Sequence, residues 1–403
     1  MGNDPQQRAR FWQWPYWNKE SLYFVSTTGL GANSALKTRV YYDQFRNLLK
    51  AFDDKTYTTQ NRPSSFQSFY HDDTYGAAVE YHRNWPEKHA LKAALQYKND
   101  QHQEYNLGEP ERTFRDYTAS LGIEDTYQIT DKLTLLPGIS LNLRHSLEAQ
   151  NYNATTKEIT DLPENENYAF NAQVGVLYQL TAQQRLSFSV ARKSRFATIK
   201  DRYSYRMGAA IPNPDLKAET ALHYEASYQA TFQEKWQVVA NLFYSRIQDV
   251  IQQVNNVQPN IFQLQNTGKA AFSGAEFSAQ YPILTDWKAG GQYSYLHRVN
   301  RSNKDLKFID APEHKVLVFS SYTYQDRGGL TASAEYNSSR YSTSYGIKSA
   351  GFTLLNLRAQ VKVYRGVSVE GGVNNLFDKN YTLVEGFPEA GRNYFVNLVF
   401  SNL

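Results

Sequence analysis

The sequence contains no cysteine, so no disulfide, iron–sulfur cluster, thiolate zinc site or thiol nucleophile can be built from it. It also lacks any window approaching the roughly 18 uninterrupted apolar residues that a membrane-spanning helix requires, and only 41% of its residues are hydrophobic. A helical membrane protein is thereby excluded. No sign of charge is in excess: 43 Lys and Arg stand against 39 Asp and Glu, for a formal net charge of +4. With acids and bases interspersed and no long basic run, nucleic acid is not expected as a partner. The first ten residues, "MGNDPQQRAR", carry no apolar core of the kind a secretion signal needs. No nucleophile elbow, glycine-rich phosphate loop or zinc-protease helix occurs, so no catalytic residue and no enzyme activity is expected. The 8 His are scattered without metal-ligand spacing, and "YHDD" at Tyr70 to Asp73 reads as a polar loop before it reads as a metal contact. No metal site or cofactor is expected.

What is abundant is aromatic: 31 Tyr, 22 Phe and 6 Trp make 15% of the chain. That is high for a soluble domain and usual where rings sit at a lipid and water boundary. Helical periodicity is almost absent. From Ser21 onward the dominant period is two. In "LLNLRAQVKV", Leu355, Leu357, Ala359, Val361 and Val363 share one face, with Asn356, Arg358, Gln360 and Lys362 on the other. "ALKTRVYYD", "RLSFSVAR", "LHYEASYQ" and "LTASAEY" divide in the same way.

A soluble sandwich also alternates, because one face of each of its sheets meets water. Three features favour a transmembrane antiparallel β-barrel of outer-membrane type. The alternating segments are often ten or more residues, against about five or six for soluble strands. The connections alternate between tight ones such as "NWPEKH", "LTAQQ" and "PILTD" and long polar ones. The long ones are "AFDDKTYTTQNRPSS", "NDQHQEYNLGEPER", "EAQNYNATTKEITDLPENE", "TIKDRYSYRMGAAIPNPDLKAE" and "NRSNKDLKFIDAPEH". Aromatics also gather near segment ends, at Trp85, Tyr97, Tyr127, Tyr178, Trp236, Tyr244 and Trp287, where interface girdles would lie. About 17 strands are expected between Ser21 and Phe400. Single-chain bacterial barrels have even strand numbers, so an odd count describes a barrel incomplete at its N-terminal side, with "RARFWQWPYWNKE" as an interface segment before the first strand.

Three motifs occur in order: "IPNPDLKAET" with Asn213, Pro214, Asp215, Leu216 and Glu219; "NTGKAAFSGAEF" with Gly268, Gly274 and Glu276; and "NNLFDKNYTLVEGFPEAGRNYFVNLVF" with Asn375, Leu376, Phe377, Asp378, Tyr381, Gly391, Arg392 and Phe400. Together they resemble the C-terminal barrel of TonB-dependent outer-membrane receptors, over nearly the whole chain. By that resemblance residues 1–403 form one partial barrel domain, about 17 of roughly 22 strands, without the plug and the TonB-contacting segment. The resemblance also implies residence in the outer membrane of a Gram-negative bacterium. Implied partners are outer-membrane lipid, the barrel-assembly machinery, and the TonB complex through the plug region only. The implied function is active uptake of a scarce large solute, a ferric siderophore above all. Cobalamin, haem, a copper complex or a glycan fits the same barrel, and a passive porin-like channel is the competing class.

Ligand contacts are expected on long loops carried by a rigid scaffold. In "SRFATIKDRYSYRM", Arg195, Arg202, Tyr203, Tyr205, Arg206 and Met207 combine charge-assisted donors with rings, which suits an anionic aromatic iron chelate. "YLHRVNR", with Tyr295, His297 and Arg298, and "SSRYSTSYG", with Arg340, Tyr341 and Tyr345, are smaller sets of the same kind. The alternative for each is a solvated loop, and for the three motifs it is loop-to-strand geometry without a ligand role.

Overall fold

The computed structural model describes residues 2–3, 11–62, 64–86, 88–205, 209–233, 235–384 and 387–400. Among the described residues there are seventeen long strands: β1 Trp12–Gly29, β2 Ser34–Ala51, β3 Phe66–Trp85, β4 His89–Asn106, β5 Arg112–Thr130, β6 Leu133–Asn153, β7 Glu166–Thr181, β8 Gln184–Arg195, β9 Glu219–Phe232, β10 Trp236–Gln248, β11 Lys269–Leu284, β12 Trp287–Asn300, β13 His314–Tyr324, β14 Gly328–Asn337, β15 Phe352–Tyr364, β16 Val367–Asn374 and β17 Asn393–Phe400. They belong to one large antiparallel sheet. The count agrees with the period-two reading of the sequence. The first strand begins earlier than expected, because Trp12 to Glu20 pair with β2, with a register shift between Gln13 and Tyr16.

Every connection after an odd-numbered strand is a tight turn, as at residues 30–33, 131–132 and 365–366. The connections after even-numbered strands are the longer ones. One of them is much shorter than its polarity suggested. "NDQHQEYNLGEPER" is mostly ladder, since β4 runs to Asn106 and pairs with β5 up to Arg112. "YHDD" is likewise strand β3, not loop: Asp72 pairs with Phe45 and His102. Strands that outreach the lipid keep their hydrogen bonds while both faces turn polar, so composition alone misplaces their ends.

Two compact units divide the chain: 1–176, 189–223 and 246–269 in one, and 177–188, 224–245 and 270–403 in the other. In the first unit, register lines up Val79, Leu95, Leu121 and Leu141 across four strands. All four are more than a third exposed. In water each would forfeit about 1.5–3 kcal/mol of burial, whereas hydrocarbon accepts them. On β3, Trp85 and Tyr75 lie ten positions apart on this face, which at about 3.3 Å per residue and a tilt near 40° spans about 25 Å, the height of an outer-membrane apolar band. One position along, every side chain turns inward. Asp43, Thr74, Asp100 and Asp116 form one such row, and Phe45, Asp72, His102 and Phe114 the next.

Within the second unit, Tyr394, Val396, Leu398 and Phe400 share one face of β17 and are 62–76% exposed. Gly274 on β11 lets two strands approach: a Cβ there would stand 2.2 Å from the Tyr295 carbonyl oxygen and 2.4 Å from the Phe243 ring.

The three motifs form clamps where loops enter strands. Pro214 and Asp215 make a turn that seats the fully buried Leu216, while the Asn213 side-chain amide donates to the Leu264 carbonyl. Glu219 accepts from Arg195 Nε at 2.5 Å and from the Ile251 amide at 2.7 Å. Gly268 sits at φ +98° and its carbonyl accepts from the Val250 amide, and Glu276 faces Asn241 on β10 at 3.5 Å. In the last motif Asn375 is buried at φ +52° and exchanges two hydrogen bonds with the Lys379 backbone. The Leu376 amide donates to the Leu355 carbonyl, Phe377 is exposed, and the Tyr381 ring lies against Phe352 at 4.5 Å. Asp378 accepts from the Arg392 amide at 2.7 Å, and a Cβ on Gly391 would come within 2.6 Å of that carboxylate.

Candidate ligand-binding site

The loop from β8 to β9 folds down onto the inner wall of the first unit. Thr198 starts the short helix α1 Ile199–Tyr203 with reciprocal capping: its hydroxyl accepts from the Asp201 amide, and the Asp201 carboxylate accepts from the Thr198 amide, both at 3.1 Å. Arg195 fastens the base of the loop, donating to Asp201 at 3.2 Å as well as to Glu219. So oriented, Arg202 and Tyr203 enter the wall and are 0% and 1% exposed.

Arg202 donates to the Asp116 carboxylate and, at 2.8 Å, to the Tyr203 hydroxyl. Arg144 reaches the same carboxylate oxygen at 3.5 Å. Tyr203 stacks on Phe114 with centroids 5.6 Å apart and meets the Ser146 hydroxyl at 3.0 Å. Tyr205 donates to Asn151 at 2.6 Å. The loop is thus a strap pinned by one shared carboxylate and one aromatic stack.

Beside the strap lies a cavity of about 600 Å³. Rings line it from Trp17, Phe45, Tyr70 and Phe114 on the wall and from Phe196 and Tyr203 on the strap. Trp17 and Phe45 meet edge to face at 5.3 Å. Polar groups stand between the rings. His102 bridges Asp72 and Glu104, and Asp100 accepts from Thr74 at 2.7 Å and pairs with Lys98 at 2.6 Å. On three lining residues at most 5% exposed, the buried atoms Asn47 Oδ1, Asp116 Oδ1 and Arg144 Nε have no hydrogen-bond partner among the described residues. Buried polar atoms left unpaired are costly.

Of the expected ligand residues, Arg195, Arg202, Tyr203 and Tyr205 come together in this strap, but Arg202 and Tyr203 hold it down and do not face solvent. Arg206 and Met207 lie outside the described residues. Tyr295, His297 and Arg298 sit on β12 of the second unit. There Tyr295 packs on His314, His297 meets Glu313 at 3.0 Å, and Arg298 donates to the Ile309 and Ala311 carbonyls. Arg340 pairs with Ser349 and Tyr341 with Lys348, and Tyr345 is half exposed. The wall residues Asp72, Asp100, His102 and Asp116 were not anticipated. For Asp72 the signal was the period two that runs through "FQSFYHDDTYGAAVEYH".

Residues 2–376 match the family described as TonB dependent receptor-like, beta-barrel. The vitamin B12 transporter BtuB of Photobacterium profundum is 24% identical over 438 aligned residues, covering 95% of this chain and 69% of that protein. Among solved structures, the copper transporter OprC superposes with a TM-score of 0.84 at 18% identity, covering 98% of this chain and 67% of that one. The ferric citrate transporter FecA in its unliganded form gives 0.76 at 16% identity, with 98% and 65% covered. The outward apolar stripe, the alternation of turns and loops, and these likenesses agree: the chain belongs to the TonB-dependent receptor β-barrel family of the Gram-negative outer membrane.

Proposed function

We propose that this barrel serves active uptake of a ferric siderophore, driven through TonB, with the chelate received in the cavity beside the β8–β9 strap. The observation that carries the proposal is the cavity's make-up. Six rings line a space of about 600 Å³, with the polar side chains of Asp72, Asp100 and His102 between them, which suits a compact, ring-bearing chelate. Rings supply dispersion and stacking over a large ligand, and the polar side chains of Asp72, Asp100 and His102 supply orientation. A copper complex is less well supported, because a chain without cysteine and with only 2 Met offers few soft ligands to that metal. A corrinoid is the second proposal, favoured by the likeness to a vitamin B12 transporter.

The test is growth of a strain deleted for this receptor under iron starvation, supplied with single siderophores and, separately, with cobalamin. Loss of growth on one ferric siderophore, restored by the gene, is expected. Growth unaffected by deletion on every siderophore, with cobalamin utilisation lost, would move the assignment to the corrinoid.

A further inference from the structure

In the second unit, the short strand Arg340–Tyr341 pairs antiparallel with Lys348–Ser349, and Arg340 stands opposite Ser349. Residues opposite one another in an antiparallel pair project to the same face. Both are deeply buried, 5% and 1% exposed. Arg340 Nε, Arg340 Nη2 and Ser349 Oγ all lack a hydrogen-bond partner among the described residues.

The two nitrogens are informative together. Nε–H and Nη2–H lie along one edge of the guanidinium, the edge that grips two oxygens of a carboxylate or phosphate side by side. The flat face of the same group is already used, resting 5.2 Å from the centroid of the buried Phe352 ring. Asp310 and Glu335 are near enough for their charges to act on Arg340, but neither pairs with its edge among the described residues. Glu335 is engaged by Lys315 at 3.0 Å and by the Asn337 amide at 2.8 Å. Asp310 is anchored through its backbone, its amide donating to the Tyr341 carbonyl, and makes no ion pair with Arg340 among the described residues. An aligned, desolvated pair of donors fits an anion better than it fits a neutral solute, and Ser349 stands opposite on the paired strand.

We propose that Arg340 and Ser349 form a binding site for a small oxyanion, a carboxylate or a phosphate group, whose two oxygens meet Arg340 Nε and Nη2 and whose second lone pair takes the Ser349 hydroxyl. Occupancy ties the Arg340–Tyr341 and Lys348–Ser349 strands together and orders residues 338–351. This site stands apart from the uptake proposal and does not depend on it.

The test is amide hydrogen exchange of residues 340–352 in the chain refolded in detergent micelles, titrated with sodium acetate or sodium phosphate against sodium chloride at fixed ionic strength. Exchange is expected to slow saturably, at least tenfold, with one of the two oxyanions, and which one responds identifies the chemistry. Arg340→Lys keeps the charge and loses the edge, and should abolish the response. Ser349→Ala should weaken it several-fold, and serves alone if Arg340→Lys fails to fold. Asp310→Asn should leave it intact. Absence of any response in the unmodified chain, an equal response in Ser349→Ala, or a response that appears only when Asp310→Asn frees the edge would overturn the proposal, the last by showing that the edge belongs to Asp310.

Discussion

Replacing Asp116 by Asn removes the one charge that two buried guanidinium groups share. Asp116, Arg144 and Arg202 are 4%, 3% and 0% exposed, so no solvent screens the loss. Removing one partner of a buried pair costs about 3–5 kcal/mol, because the charge left behind is uncompensated. The molecule can lower that cost by releasing the strap, which returns Arg202 to water at the expense of the Phe114–Tyr203 stack. The energy therefore appears as local opening. At about 1.36 kcal/mol per tenfold change, opening of residues 198–205 should become more frequent by two to four powers of ten. Amide hydrogen exchange of that segment reads this directly. Asp100→Asn is the matched control: it lies one strand away on the same row, but its Lys98 partner is 44% exposed at the side chain, so about 1 kcal/mol or less is at stake. Unchanged protection of residues 198–205 in Asp116→Asn, or equal loosening in Asp100→Asn, would refute the pinning of the strap by a shared carboxylate.

Other outcomes follow from the same geometry. Leu141→Arg, on the outward row and 59% exposed, should cost about 2–4 kcal/mol of stability in liposomes by denaturant titration, whereas Asn142→Arg on the inner face should cost far less. Gly274→Ala forces a Cβ to within 2.2 Å of the Tyr295 carbonyl and should destabilise by about 1–3 kcal/mol, read in the same titration. Asp53 anchors the loop at residues 52–65, its carboxylate accepting from the Ser65 hydroxyl and from the Asn61 and Arg62 amides, and these hold its pKa well below the ordinary carboxylate range. With the folded value depressed, its contribution is fully present above the unfolded value near about 3.9 and is lost as pH falls through the folded one. Protection of the Asn61 and Arg62 amides should thus persist at pH values that protonate ordinary carboxylates, and should vanish across the whole range in Asp53→Ala.

The fold was largely legible because a barrel writes one signal everywhere: period two marks the strands, and the sorting of turns and loops marks their direction. The ends of strands were less legible. Asp72 and His102 look like loop residues because above the lipid both faces of a strand are wet, and polarity no longer reports which residues keep the ladder. The candidate site was legible only in part. Arg202 and Tyr203 were identified by type as ligand groups, yet their carboxylate and aromatic partners come from β5, far earlier in the chain, and that pairing is a property of register. The three motifs were identified by order, and the structure shows why their residue types recur: Asn213, Glu219, Asn375 and Asp378 each satisfy backbone groups where a loop joins the sheet.

The central claim is that the cavity beside the strap receives the transported chelate. The chain has no native cysteine, so Thr118→Cys places a single environment-sensitive fluorophore on the cavity lining. Titration with the ferric siderophore identified by growth should give a saturable change in emission, absent with the iron-free chelator and weakened in Asp116→Asn. A silent label at concentrations of that chelate that saturate uptake would contradict the account.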